Sequence, residues 1–396
     1  MHKICNMENF FFPTYSRFPG SFIKGRGVYL YDKRGKKYLD LISGVGVNAL
    51  GYGNPAILKS IKKQLGLHLH ISNLFMCESQ LNFAREIAKT VNFNFRIFLC
   101  NSGAEATETA IKLIRIYHHA KKNNKYKVLC FKNSFHGRTI GALSATYKRE
   151  IKEPFEPLLD GFEFIDFDIP KVERMILGGD FAGVLIEPIQ GESGVILPPR
   201  DVFTVLRKAT EKTDTLLVFD EIQTGCGRTG KFWCYENFGV VPDVILSAKA
   251  IGGGLPLGCV IAKEEIARYM GLGSHASTFG GNPLATAAGA ALIKIVRKKS
   301  FLESVRFKGE IFKKKIEESV QKNVRGLGLM LGVEVGLPKE KFKDATLFFW
   351  KNGILVNFCA GEDGKGVLRL LPPLIISEKQ IDSFVKVLKK WIATIT

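Results

Sequence analysis

The chain has 396 residues, of which 46% are hydrophobic, and carries a formal net charge of +19. That length predicts two or three domains around a large core, and no apolar run approaches the roughly 20 residues needed to span a bilayer. The basic residues are scattered, and the densest cluster, Lys313–Lys315, is followed at once by Glu317 and Glu318. The charge therefore reads either as a plain solvated lysine surface or as a field that attracts anionic substrates, rather than as a nucleic-acid-binding face.

In chain order, the opening Met1–Glu8 lacks the charged-then-apolar layout of a signal peptide, which points to a cytoplasmic protein. Residues 1–30 read as irregular, punctuated by Pro13, Pro19, Gly20, Gly25 and Gly27. Val28–Asp32, a turn at Lys33–Gly35 and Lys36–Asp40 read as a β-hairpin, and residues 55–66 and 79–90 as helices. From about 95 to 262 short apolar runs recur, at Arg96–Cys100, Lys127–Phe131, Phe181–Ile186, Leu216–Phe219, Val244–Ser247 and Gly258–Ala262. Such runs fit strands buried on both faces. The centre is thus an α/β domain on a mostly parallel sheet, where chemistry gathers at the carboxyl ends of the strands.

Beyond 285, helices at Ala285–Lys299, Phe307–Gln321, Lys343–Asn352 and Ser377–Ile395 accompany a strand at Arg325–Val335. They make a smaller α+β domain, with which the N-terminal hairpin packs. The expected divisions are 1–54 for the N-terminal segment, 55–284 for the large domain and 285–396 for the small one. The eight cysteines show no CxxC spacing, and several sit inside apolar runs, so neither a disulfide framework nor a metal site is expected.

Two charges stand where apolar strands end. Asp220 closes Thr215–Phe219, and Lys249 follows Val244–Ala248. Neither belongs at a buried strand end without a partner. Together they suit an aldehyde cofactor such as pyridoxal phosphate, with the lysine bonding the aldehyde and the aspartate holding a ring nitrogen protonated. Gly252–Gly254 lets the backbone after Lys249 pass close to a ligand.

Other segments offer the remaining parts. Ser102-Gly103-Ala104 opens a helix, which is either an ordinary serine cap or an anion seat of free N–H groups. Phe135 either lies against a flat ring or packs in the core, and Arg138 suits a carboxylate. Glu187 and Glu192, after a strand, fit acid–base work or ion pairing equally. Gly225–Gly230 fits GxGxxG, but four residues separate it from Asp220 and no amphipathic helix follows, so it is not a dinucleotide turn. Ser277 and Thr278 could complete a phosphate cradle or form a plain loop. Arg369, in an apolar strand, needs an anionic partner, either a substrate carboxylate or an internal acid.

Taken in order, NSGAEA, SFHGRT, EPIQGE, DEIQTGCGRTG, SAKAIGGG, STFGGNP and VRGLGLMLGVE resemble the class III pyridoxal-phosphate aminotransferases, over nearly the whole chain. Within that class SFHGRT and TFGGNP make it most similar to the acetylornithine branch. The resemblance implies fold type I, pyridoxal 5'-phosphate as cofactor, and 2-oxoglutarate and an ω-amino donor as substrates. It implies a homodimer with shared active sites. It assigns Lys249 to the cofactor aldehyde, Asp220 to the ring nitrogen, Gln223 to the ring hydroxyl and Phe135 to the ring face. Ser102, Gly103 and Ala104 would hold the phosphate, and Thr278 would reach the phosphate of the neighbouring subunit. Arg138 and Ser277 would contact the donor, and Arg369 the α-carboxylate of glutamate. Glu192 would neutralise Arg369 when the longer donor binds. Gly51-Tyr-Gly53-Asn-Pro, where relatives often carry Gly-His-x-His-Pro, and Ser193, where Gly or Ala is common, depart from the pattern.

Overall fold

Three sheets organise the described residues 10–18, 20–361 and 364–395 of this computed structural model. Pro19, Cys5 and the Met1–Glu8 opening lie outside them. Strands β1 (Phe22–Arg26), β2 (Tyr29–Asp32) and β3 (Lys37–Asp40) form an antiparallel meander. Its tight turn is held by Asp32, whose Oδ1 accepts from the N–H groups of Arg34 at 2.9 Å and Lys36 at 3.0 Å. The sequence reading left β1 irregular because it has no apolar alternation and contains Gly25. That glycine is required, since the Tyr52 ring lies 2.5 Å from where its Cβ would stand.

Helices α1 (Pro55–Leu65) and α2 (Glu78–Ala88) lead into the central sheet. Asn54 caps α1 on the N–H groups of Ala56 and Ile57. The central strands are β4 (Phe95–Cys100), β5 (Lys127–Phe131), β6 (Phe162–Ile165), β7 (Phe181–Ile186), β8 (Leu216–Asp220), β9 (Val244–Ser247) and β10 (Gly258–Lys263), in the order β4-β10-β9-β8-β7-β5-β6. Alternation within each strand serves two covers. Leu216 and Val218 of β8 join the cluster containing Ala106, Ala110, Leu113 and Ile114 of helix α3 (Gly103–Ala120). Leu217 and Phe219 face the other way, into the cluster holding Val172 and Ile176 of α4 (Ile169–Leu177) and Val202, Phe203 and Leu206 of α5 (Arg200–Lys212). A sheet covered on both sides needs the near-continuous apolar runs seen in the sequence. Strand β6, at the sheet's edge and only partly buried, has no such run and was not foreseen.

Helices α6 (Pro283–Val296) and α7 (Lys299–Val320) follow. The break between them comes at Lys298, whose backbone is extended, so the second helix starts earlier than Phe307. The expected strand at Arg325–Val335 is instead a hairpin of β11 (Val324–Leu327) and β12 (Met330–Leu337), because Gly328 turns with φ +54. Helix α8 (Phe342–Lys351) leads to β13 (Ile354–Leu355), β14 (Asn357–Ala360) and β15 (Gly366–Leu370), and α9 (Glu378–Ile392) closes the chain. The third sheet runs β11-β12-β15-β14, all antiparallel. Strand β13 pairs parallel with β3, Ile354 opposite Leu39, and so joins the N-terminal meander to the C-terminal part of the chain.

Candidate active site

Strands β5, β7, β8 and β9 are parallel, so Phe131, Ile186, Asp220 and Ser247 end at one edge of the sheet. Strand β10 runs the other way and β4 opposes β10, with Cys100 across from Gly258. Two reversals restore the direction, so Cys100 and the start of α3 arrive at the same edge.

Asp220 is 4% exposed. Its Oδ2 lies 2.7 Å from His136 Nδ1, and its Oδ1 accepts from Ile222 N–H at 3.1 Å. Lys249 opens the loop after β9 with a left-handed φ of 49°. Burial lowers the pKa of its amine, against the opposing pull of Glu192, Asp220 and Glu187, and Arg369 lowers it further. A lowered amine pKa is the direction a nucleophilic lysine requires.

Helix α3 starts beside this pair. The Ser102 hydroxyl accepts from Glu105 N–H at 3.2 Å, an ordinary serine cap. The first turn of a helix has no acceptors for its own N–H groups, so those of Gly103 and Ala104 remain open to an anion. Gly103 allows the helix to approach, because a Cβ there would meet Ile222 Cδ1 at 2.9 Å.

The loop after β7 brings two acids. Glu187 accepts from Phe135 N–H at 2.8 Å and Gly191 N–H at 3.1 Å. Burial pushes its pKa up to about 7, despite nearby His136 and assisted by Asp220. Glu192 meets Arg369 Nη1 at 2.6 Å. Burial alone would raise the Glu192 pKa, but the Arg369 guanidinium holds it at about 2. Arg369 is itself 2% exposed and also donates to Gly191 O at 3.0 Å. Its Nε is buried without an acceptor among the described residues. Gln223 stands between the halves, with Oε1 3.5 Å from Arg369 Nη1.

Phe135 is half-buried, and the Arg138 guanidinium lies 5.7 Å from its ring centre with the rest of Arg138 exposed. Ser277 Oγ accepts from Gly280 N–H at 3.0 Å and from Asn101 Nδ2 at 3.3 Å, just before the open end of α3. Thr278 beside it is exposed. The two departures from the pattern turn inward to the scaffold. Tyr52 Oη donates to Asp40 Oδ2 at 2.6 Å, and Ser193 Oγ to Asn133 O at 2.7 Å.

These residues suit pyridoxal phosphate. There is a buried amine for an aldehyde, a buried carboxyl group for a ring nitrogen, and open N–H groups at a helix N-terminus for a phosphate. Sequence reasoning gave His136 no role, because its partner lies 84 positions away. It also missed Asn73, whose Nδ2 donates to Ser277 O and Gly280 O at 2.9 Å and fixes the Ser277 loop. No local signal marks an isolated loop asparagine.

Residues 13–392 match the family model for class-III aminotransferases. An acetylornithine aminotransferase from Aquifex aeolicus (strain VF5) is 44% identical over 378 residues, covering 95% of this chain and 98% of its own. Among solved structures, an ornithine aminotransferase from Toxoplasma gondii superposes with a TM-score of 0.90 at 28% identity, covering 99% of this chain and 96% of its own. That structure carries partially occupied pyridoxal phosphate at its active site. An N-acetylornithine aminotransferase from Stenotrophomonas maltophilia K279a gives a TM-score of 0.81 at 31% identity over 96% and 97% of the two chains. With the Lys249–Asp220 edge and the open end of α3, these likenesses mean that the chain belongs to the class III aminotransferases, enzymes whose cofactor is pyridoxal 5'-phosphate.

Proposed function

We propose that this enzyme moves the ω-amino group of N2-acetylornithine to 2-oxoglutarate, giving N-acetylglutamate 5-semialdehyde and glutamate, a step of arginine biosynthesis. The observation that carries the reading is the buried Arg369–Glu192 pair. A ping-pong enzyme must accept a long donor and a short dicarboxylate in one site. Arg369 serves the α-carboxylate of 2-oxoglutarate. Glu192 covers that charge while a donor without a carboxylate there is bound. The choice of donor follows curated relatives named acetylornithine aminotransferase, at 37% to 44% identity.

When bound, pyridoxal phosphate supplies an aldehyde for the amino group and a ring that withdraws electrons from the carbon bearing it. The remaining work belongs to the chain. Lys249 would hold the aldehyde and, once released by the donor amine, would take the proton from the donor carbon as general base. Asp220, oriented by His136, would accept from the ring nitrogen. Gln223 donates to the ring hydroxyl and Phe135 covers the ring face. Ser102, Gly103 and Ala104 receive the phosphate. Arg138 and Ser277 contact the donor at the rim.

Thr278 completes the phosphate seat of a second subunit in a homodimer. Support comes from an exposed apolar band at Leu67, Leu69, Leu74, Phe75, Met76 and Phe279. Asn282 Nδ2 bonds Leu69 O and Asn73 bonds Ser277 O, so these residues flank the Thr278 loop. Apolar patches of that kind mark interfaces. The divisions at 55 and 285 fit the pairing of β3 with β13. A cytoplasmic setting fits the buried free thiols of Cys100, Cys130 and Cys259.

A donor panel tests the assignment. Acetylornithine should exceed ornithine, 4-aminobutyrate, succinylornithine and succinyl-diaminopimelate in kcat/KM by at least about tenfold. The second reading is an ornithine aminotransferase, favoured by the Toxoplasma structure. Ornithine as the best donor would establish it instead.

A further inference from the structure

The turn Cys226–Gly230 has no part in the roles above, yet it buries a cation with no acid beside it. Arg228 is 2% exposed and forms no ion pair among the described residues. Its Nη1 donates to two carbonyls, Leu329 O at 2.9 Å and Pro372 O at 2.6 Å. Leu329 N–H returns a bond to Arg228 O at 2.9 Å. Gly328 presses on the same turn, since a Cβ there would fall 2.6 Å from Arg228 O. The turn that follows Asp220 and Gln223 is therefore docked on the β11–β12 hairpin tip and on the segment leaving β15.

That segment, Leu371–Leu374, begins two residues after Arg369. Its ends are pinned by Leu371 N–H to Leu41 O at 2.8 Å and Leu374 N–H to Ala49 O at 2.7 Å, and since Pro372 and Pro373 supply no N–H, side chains grip the segment between by its carbonyls. Ser43 Oγ donates to Leu371 O at 2.6 Å, Arg228 to Pro372 O, and Lys308 Nζ to Leu374 O at 2.8 Å. Burying an unpaired guanidinium costs free energy. One neutral donor could satisfy one carbonyl more cheaply. What the arginine adds is reach, because it joins carbonyls from two separate segments to the turn beside the Lys249 edge.

We propose that Arg228 is a positioning residue, which ties the turn after Asp220 and Gln223 to the strand presenting Arg369 and so fixes the carboxylate grip relative to Lys249. This rests on the reading of Arg369 as the grip for 2-oxoglutarate. Losing the tie lets the end of β15 shift, which weakens acceptor binding more than donor turnover.

The test uses the full-length, cofactor-loaded enzyme and steady-state kinetics with both substrates varied. Arg228→Met should raise the KM for 2-oxoglutarate by about tenfold while donor KM and kcat stay within about threefold. Arg228→Lys should recover part of the loss, since an ammonium reaches one of the two carbonyls. Lys308→Met, which frees Leu374 O at a less buried site, should raise the acceptor KM by about threefold. A folded Arg228→Met enzyme with an unchanged acceptor KM overturns the proposal. So does a uniform fall of all constants without rescue by lysine. Should Arg228→Met not fold, an unchanged acceptor KM in Lys308→Met overturns it. Arg369→Lys separates the two readings. No rise in acceptor KM there rejects the role of Arg369, whereas a rise there with none at Arg228 rejects the tie alone.

Discussion

Single residues carry opposite charge problems in this site, and each gives a test. Glu192 is held low by Arg369, so their pair persists down to about pH 2. Removing the acid in Glu192→Ala leaves Arg369 free in every half-reaction. Glutamate should then gain on acetylornithine as amino donor by about tenfold, measured as single-turnover rates for each. Glu221 lies just behind Asp220, 1% exposed, taking bonds from Thr224 Oγ1 at 2.6 Å and Tyr235 N–H at 2.8 Å. Burial outweighs those bonds and pushes it from an ordinary 4.5 up to about 7. The folded state therefore holds this proton where the unfolded chain has lost it. Stability is full below about 4.5, falls as pH rises toward 7 and levels off above. Glu221→Gln should flatten that fall in denaturant titrations across the window, and an unchanged slope would reject the raised value. Lys249 and Asp220 were legible in the sequence because a charge ending an apolar run is conspicuous. Glu187 was ambiguous there and His136 had no role, because Phe135 and Asp220, which engage them, lie 52 and 84 positions away.

Elements bring these residues together through close backbone approaches that composition does not reveal. Strand β12 can press on the Glu192 loop only because residue 332 is glycine, as a Cβ there would stand 2.7 Å from Gly194 O. Gly332→Ala should cost about 1–3 kcal/mol in thermal unfolding and raise the 2-oxoglutarate KM, since loop and sheet must separate. Wild-type values for both would contradict that packing. The buried strands of the central sheet were readable because both faces are covered and their runs are apolar. Strands β1 and β6 were not, being exposed at edges, and the β11–β12 turn was hidden inside an apolar run whose Gly328 alone reverses it. The left-handed stretch Ser43–Gly46, with Val45 at φ 61, has no sequence signature either.

At the scale of the molecule, the exposed band beside Thr278 predicts a solution mass about twice the 44.1 kDa of one chain. Phe75→Lys with Leu74→Glu should give monomers that lose cofactor, read by light scattering and absorbance. A monomeric parent enzyme would reject the shared seat. The +19 charge predicts that the 2-oxoglutarate KM rises with ionic strength. All of this depends on Lys249 being the residue that holds the cofactor. The direct measurement is borohydride reduction of the coloured holoenzyme, followed by peptide mass mapping. The visible band should bleach, the pyridoxyl label should lie on Lys249, and Lys249→Ala should neither take the label nor turn over. Label on another lysine, or turnover by the alanine variant, would contradict that role.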